Sequence, residues 1–101
     1  MTTPFRTILL SGLVAGMSAF AATPAAAACY ADYRARTEDP LRLHYGVIEV
    51  PDAACSVSAA APLIAQRIGA DGWQLLQVIS VFDESGLDAR RPDAGAYFLR
   101  Y

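Results

Sequence analysis

Two cysteines, one histidine and a run of carboxylates are the residues of this 101-residue chain whose types could do chemistry. Cys29 and Cys55 are thiols that could pair, act as nucleophiles or, at Cys29, carry a lipid. His44 is the only histidine, and it would have to be the base for a catalytic Cys55. The carboxylates crowd one short stretch of the chain: Asp83, Glu84, Asp88 and Asp93.

The spacing of these residues favours neither an active site nor a metal site. With no second histidine and both cysteines expected to be bonded, too few ligands remain for a zinc site, and nothing in the sequence brings His44 to Cys55. The four carboxylates do not follow the alternating pattern of a twelve-residue calcium loop. No serine elbow, phosphate-binding glycine loop or metalloprotease helix occurs. We therefore predict no catalytic residue, no bound metal and no cofactor.

Residues 1–28 have the three parts of a secretory signal peptide. Arg6 makes the start cationic, residues 8–22 are apolar, and the small Ala26 with its neighbouring alanines suits signal peptidase. The pattern predicts cleavage before Cys29 and a periplasmic or secreted protein of about 73 residues. Two alternatives stay open. One is a retained membrane anchor, for which an apolar run of about 15 residues is short. The other is lipidation of Cys29, although lipoproteins usually carry Leu where this chain has Ala26.

Export places the two cysteines in an oxidising compartment, and so predicts a disulfide between Cys29 and Cys55. A domain of fewer than about 80 residues buries a modest core and commonly needs such a link. Closing a loop of about 27 residues would stabilise the fold by about 3 to 4 kcal/mol in the chain-entropy model. If Cys29 were lipidated instead, Cys55 would be left as a lone thiol.

The charge balance argues against nucleic acid as a partner. Without the signal peptide the chain has seven arginines, no lysine and ten carboxylates, which is a net charge of about −3. Its one dense cationic pair, Arg90 and Arg91, lies between Asp88 and Asp93, which largely cancel it. Both methionines belong to the signal peptide, so the mature chain has no thioether ligand for haem or copper.

The pattern of apolar residues predicts an N-terminal arm followed by a small α+β domain. Residues 29–40 show no clean period and are predicted as an extended arm or a short irregular helix, outside a domain at 41–101. Partial alternation in 41–50 predicts a first strand. The alanine-rich run that follows Ser56 predicts a helix that ends at Gly69.

Two further strands complete the predicted sheet. Trp73–Phe82 is rich in β-branched and aromatic residues and apolar on both faces, which predicts the central strand. Ala94–Tyr101 alternates and is predicted as the last strand, after a polar loop from Asp83 to Asp93. The expected fold is βαββ, a three-stranded and mainly antiparallel sheet with one helix on one face. Because one helix covers only one face, apolar strand surface is left over.

Three segments carry a resemblance to a known family: Tyr45-Gly46-Val47-Ile48, Ile68–Leu75 and Tyr97-Phe98-Leu99-Arg100. Over Arg42–Tyr101 the chain resembles the small bacterial domains of unknown function family 4177. Members have a Tyr-containing first strand, a helix that ends in Gly followed by an acidic residue and Gly-Trp-Glu-Leu, and a last strand closing on aromatic-Leu-Lys/Arg. Gln74 stands where the family has Glu. The resemblance implies a compact βαββ module and no assigned activity.

The central motif of this resemblance reads as structure. Gly69 is expected to end the helix in the left-handed conformation, and Gly72 to permit a tight turn. Trp73 is expected to pack across the end of the helix as the largest core side chain. We interpret these three residues as a structural motif rather than a ligand site.

Together these observations predict a small exported module that binds or assembles and does not catalyse. Its partner would be a protein or a second copy of the chain, held through the open sheet face or a sheet edge. No membrane span is expected after cleavage. One alternative is an inhibitor-like secreted factor that presents Asp83–Asp93 as a rigid protruding loop. Another is a small hydrolase-type enzyme, which would need groups from Tyr45, His44, Asp83 or Glu84 to converge in a pocket.

Overall fold

The computed structural model describes residues 28–101, so all but the last residue of the predicted signal peptide lie outside the described residues. The described chain forms three strands, two α-helices and three short 3-10 turns, which identifies an α+β fold. None of its helices is long and apolar enough to cross a membrane. The elements are β1 (Cys29–Thr37), β2 (Arg42–Val50), α1 (Val57–Gly69), β3 (Gln74–Phe82) and α2 (Leu87–Ala94), with 3-10 turns at Asp52–Ala54, Glu84–Gly86 and Gly95–Tyr97.

The three strands form one antiparallel sheet in the order β2-β1-β3. Tyr33, in the middle of β1, lies opposite Gly46 of β2 on one side and Val78 of β3 on the other. The predicted α+β class with a three-stranded antiparallel sheet is therefore confirmed. The order of elements is ββαβα, however, and not the expected βαββ.

The segment predicted as an N-terminal arm is the central strand of the sheet. Ala31, Tyr33 and Ala35 alternate along β1 and are completely buried against α1. This alternation is hard to recognise in the sequence because two of these core residues are small alanines. In addition, the opposite face of β1 carries a buried charge, Asp32. A buried charge breaks the polar-out pattern by which half-buried strands are recognised.

The expected last strand at Ala94–Tyr101 is wrong. The polar stretch before it is helical, with Asp83 accepting a hydrogen bond from the Ser85 N–H at 3.0 Å as the turn toward α2 begins. Gly95 and Leu99 have positive φ angles of 53° and 55°, which extended strands do not allow. One parallel bridge, Val47 with Phe98, is what the tail retains of strand pairing.

Helix α1 packs on one face of the sheet and builds the core. Ser56 caps the helix, because its side chain accepts a hydrogen bond from the Ala59 N–H at 3.1 Å. The helix begins at Val57, so Pro62 lies inside it. The buried residues of this layer, from α1 and from the facing strands, are Ala60, Ile64, Ile68, Tyr33, Ile48 and Val78.

A disulfide joins Cys29 to Cys55, as predicted, and no described cysteine is free. Cys29 begins the central strand and is buried, whereas Cys55 is exposed just before α1. The bond therefore ties the middle of the sheet to the start of the helix that covers it. Because the sulfur of Cys29 is used, the thioether-linked lipid considered for Cys29 is incompatible with this bond.

The turn after α1 places Trp73 in the core. Gly72 has a φ of 86°, the conformation that glycine adopts without a steric penalty, and Trp73 is only 6 % exposed. The expectation that Gly69 is left-handed is wrong, because the following Ala70 continues in right-handed helical geometry and Gly69 has no positive φ. The reversal of the chain falls three residues later, at Gly72.

Candidate functional site

A buried ion pair fixes α2 on the outer face of the sheet, which is the face opposite α1. Asp32 of β1 is 5 % exposed and accepts three hydrogen bonds. Ser80 Oγ donates to Oδ1 at 2.7 Å, Tyr45 Oη donates to Oδ2 at 2.8 Å, and Arg90 Nε donates to Oδ2 at 3.0 Å. Arg90 also donates to the Gly86 carbonyl at 2.8 Å. Every strand and α2 thus meet at one carboxylate.

The electrostatics of this cluster keep Asp32 ionised and Tyr45 protonated. Burial opposes ionisation of Asp32, but the hydrogen bonds from Ser80, Tyr45 and Arg90 outweigh it and hold its pKa below the usual value. Burial and the neighbouring Asp32 carboxylate raise the pKa of Tyr45 to about 12. The pKa shifts of Asp32 and Tyr45 therefore move both groups away from neutral pH, where a general acid or base works best. The groups of this cluster act as an anchor for α2.

Beyond the reach of α2, the outer face carries a groove of about 390 Å³ whose lining comes from all three strands. Leu43 of β2 and Leu76 of β3 stand at the groove with 67 % and 47 % of their surface exposed. Arg34 of β1 is exposed between them and, among the described residues, has neither an ion-pair partner nor a hydrogen-bond partner. We name this feature the outer-face groove; its lining residues are Arg34, Ala35, Leu43, His44, Tyr45 and Leu76.

Strand β3 forms the open edge of the sheet. It pairs with β1 and with no other described strand, and its register is shifted at two points. At these bulges Leu76 and Ile79 have no partner residue in β1, and both are exposed. The opposite edge, on β2, is partly covered: Leu99 N–H donates to the Val47 carbonyl at 2.8 Å, and Arg67 donates to the Glu49 carbonyl at 2.8 Å.

His44 lies on the core side of β2, inside an aromatic cluster. Its ring stacks on Tyr97 with centroids 3.7 Å apart and meets Trp73 edge-on at 4.2 Å. His44 Nε2 and Tyr33 Oη form a hydrogen bond of 3.0 Å, while Nδ1 is buried with no hydrogen-bond partner among the described residues. Burial, with the nearby charges of Arg42 and Arg100, lowers the pKa of His44 to about 4. His44 is therefore a neutral packing residue at pH 7.

A second cavity, of about 460 Å³, opens beside the covered edge of β2. Arg67 and Leu99 line it, and Arg67 uses one guanidinium nitrogen to bond the Glu49 carbonyl, so its side chain is committed to the sheet edge. Tyr101, which also lines the cavity, donates its hydroxyl to Asp71 at 2.7 Å. The lining of the cavity carries one charge of each sign, on Arg67 and Glu49.

Three residues of the hydrolase hypothesis, Tyr45, His44 and Asp83, are engaged in separate contacts. Tyr45 is bonded to Asp32 on the outer face, whereas His44 contacts Tyr33 on the core side. Asp83 is engaged by Ser85 at the start of the turn that leads to α2. No group of three possible metal ligands occurs in residues 28–101. His44 and Tyr45 both line the outer-face groove, but their polar atoms are bonded on opposite faces of the sheet, and neither Asp83 nor Glu84 lines it.

The segment expected to protrude in an inhibitor packs against the sheet. Arg90 reaches from α2 to the buried Asp32, and its guanidinium also lies 3.8 Å from the centre of the Phe82 ring. Most of the stretch predicted as a loop is thus a short helix, α2, anchored on the outer face. This stretch therefore does not form the protruding loop that the inhibitor hypothesis requires.

Sequence reasoning missed Asp32 and Arg90 as the organising pair. Asp32 lay in the segment predicted as an arm, and Arg90 lay in the segment predicted as a loop. The available signal was one carboxylate among apolar and small residues in the Tyr30–Tyr33 stretch, since a carboxylate in a buried strand needs a charged partner. Nothing local could have named a partner 58 residues away.

Comparison with models of known protein families found no matching family, and no curated protein sequence or solved structure matched the chain. The resemblance to the domain of unknown function family 4177 therefore stays a prediction.

Proposed function

We propose that this protein is a small, exported, non-catalytic binding module, and that its outer-face groove holds an extended segment of a partner protein. The observation that carries the proposal is the exposure of Leu43 and Leu76 at a groove crossed by an exposed arginine, Arg34. Large apolar side chains held open beside a cavity mark interaction sites in small soluble domains. The disulfide is compatible with export, and the predicted signal peptide supports it.

The charges around the groove favour a partner segment that is both acidic and apolar. Arg34 and Arg36 lie on the same face of β1. Arg36 forms an exposed ion pair with Glu38, with 3.0 Å between nitrogen and oxygen. Arg34 remains uncompensated among the described residues, on a chain whose net charge is negative. A carboxylate beside Arg34 with an apolar side chain between Leu43 and Leu76 would satisfy both features.

The same charge disfavours a second copy of the chain as occupant of the groove. In a face-to-face dimer the two symmetry-related Arg34 side chains would lie across the same interface, where like charges oppose association. The size of the groove, about 390 Å³, lies near the lower end of the range of about 300 to 1,000 Å³ for ligand sites. One or two side chains of an extended peptide fit this space.

The test is titration of the isotopically labelled, disulfide-bonded protein with an extended peptide of alternating Glu and Leu. We expect chemical-shift changes at Arg34, Leu43 and Leu76. Arg34→Glu should weaken binding by roughly tenfold or more, because it turns attraction into repulsion. Arg91→Glu is the matched control, since Arg91 is an exposed arginine on α2, away from the groove.

A peptide of alternating Lys and Leu provides the second control. It should bind more weakly than the acidic peptide to the unaltered protein and more tightly to Arg34→Glu. Binding that ignores the sign of the peptide charge, or shifts confined to residues outside the groove, would overturn the proposal.

A further inference from the structure

We propose that the protein also forms a symmetric dimer in which β3 of one copy pairs antiparallel with β3 of a second copy. This inference concerns the open edge of the sheet and does not depend on the groove binding a peptide. It would join two three-stranded sheets into one sheet of six strands.

The composition of β3 is the first observation that supports the dimer. All nine residues from Gln74 to Phe82 are uncharged, and none is proline or glycine. Natural proteins usually protect an open edge with charged side chains or proline, because unpaired backbone groups of an edge strand invite another strand. Strand β3 lacks these protections, whereas β2 carries Arg42 and Glu49 and has part of its edge covered.

The two bulges of β3 are the second observation. A bulge by itself disturbs further strand pairing, so bulges alone would count as protection. Here the bulged residues are Leu76 and Ile79, two large apolar side chains that are 47 % and 38 % exposed. A protective bulge would be expected to present polar or charged groups to water. These side chains instead offer apolar contact to a strand placed alongside.

The absence of charge on β3 selects a second copy as the partner. An edge that pairs with itself about a two-fold axis sets each residue against residues of the same strand, so any charge on it would face a like charge. Because β3 carries no charge, it can pair with its own copy without repulsion between like charges. An acidic segment, which suits Arg34 in the groove, would gain nothing from the uncharged edge.

The dimer would also be closed. After β3 pairs with its copy, the outer strands of the six-stranded sheet are the two β2 strands. Their edges are partly occupied by the bonds from Leu99 to the Val47 carbonyl and from Arg67 to the Glu49 carbonyl. Growth of the sheet beyond two copies is therefore disfavoured. Because one strand pair interrupted by bulges buries little surface, we expect a weak dimer with a micromolar dissociation constant.

Sedimentation equilibrium of the disulfide-bonded protein, in the form that an exporting host releases, tests the inference. Over concentrations from about 1 to 500 µM the average mass should rise from monomer to dimer and no further. Ile79→Lys and Gln77→Lys, which place a charge on the exposed edge, should each weaken the dimer at least tenfold. Gln66→Lys, the same kind of change on the exposed surface of α1, should leave it unchanged.

Hydrogen exchange adds an independent readout at the edge itself. Amides of β3 should exchange more slowly at high than at low protein concentration in the unaltered protein, and equally at both in Ile79→Lys. Fluorescence of the buried Trp73 shows whether each variant is folded, and Gln77→Lys serves if Ile79→Lys is not. A mass that stays monomeric throughout, or an equal effect of Gln66→Lys, overturns the dimer.

The two proposals fail separately. A monomer that still binds the acidic peptide removes the dimer and leaves the proposed function standing. A dimer sensitive to Ile79→Lys that ignores the acidic peptide removes the proposed function and leaves the dimer.

Discussion

Arg90 and Asp32, 58 residues apart in the chain, form an ion pair in which Arg90 Nε lies 3.0 Å from Asp32 Oδ2 on the outer face of the sheet. Asp32 is buried and Arg90 is partly exposed, so the arginine closes the carboxylate off from water. The pair holds α2 against one half of the outer face. By doing so it leaves the other half, with Arg34 and the groove, uncovered.

Removing Arg90 should therefore destabilise the protein. Arg90→Met keeps much of the aliphatic side chain but leaves Asp32 buried without its cation, and we expect the free energy of unfolding to fall by about 2 to 3 kcal/mol. Urea denaturation followed by Trp73 fluorescence measures the change. Arg91→Met is the control, because the Arg91–Asp88 pair is exposed and should contribute less than about 0.5 kcal/mol. Equal effects of the two variants would contradict this account of α2.

Gly46 should not tolerate a side chain. A Cβ atom built on Gly46 would lie 2.5 Å from Tyr33 Oη and 2.6 Å from its Cζ atom, and Tyr33 is completely buried in the core. We expect Gly46→Ala to lower the free energy of unfolding by about 2 kcal/mol or more. Gly69→Ala is the matched control: nothing lies within 4 Å of its added Cβ, and its stability should be unchanged or rise by up to about 1 kcal/mol. Thermal unfolding of the two variants checks both.

The free energy of unfolding should decrease as the pH falls from the pKa of His44 in the unfolded chain to its pKa in the folded protein. Its pKa is about 4 in the folded protein against 6.5 for an unperturbed histidine, so the unfolded chain binds the proton first. The free energy of unfolding should hence decline from pH about 6.5 to pH about 4, by an amount on the order of 2 kcal/mol. Asp32, whose pKa is lowered, adds a further loss only below pH about 4.

Substitution of His44 separates these two ranges. In His44→Phe the ring stacked on Tyr97 is kept but cannot be protonated, so stability should be nearly constant between pH 6.5 and 4 and still fall below. Urea denaturation at half-unit pH steps gives the two curves. A decline of equal size in the variant would show that other groups titrate in this window.

Loss of the disulfide should weaken the fold strongly. Cys29→Ala with Cys55→Ala removes the bond between residues separated by 26 positions, and the chain-entropy model predicts a loss of about 3 to 4 kcal/mol. Thermal unfolding of the double variant, compared with the oxidised protein with and without reductant, measures it. Reductant should destabilise the unaltered protein and leave the double variant unaffected. A destabilisation of the variant by reductant would indicate that another process is being measured.

Local sequence patterns were sufficient for the parts of the fold that have their own period. The alanine-rich run that follows Ser56 indicated α1, and the β-branched run around Val78 indicated β3. The disulfide followed from two cysteines in a chain with a predicted export signal. These features depend on side chains close together in sequence, or on composition, and so they could be predicted without knowing the fold.

The place of each element in the sheet was decided only by tertiary structure. β1 carries small alanines and a buried Asp32, so its sequence resembled an arm, and it becomes the central strand because both β2 and β3 pair with it. A polar stretch becomes α2 because Arg90 finds Asp32 across the sheet. Hence the chain's own residues determined its covalent bracing and its main helix. Long-range strand pairing decided which strand lies in the middle and which edge stays open. The ion pair between Asp32 and Arg90 decided which half of the outer face is free, because a buried charge is tolerated only where a distant partner meets it.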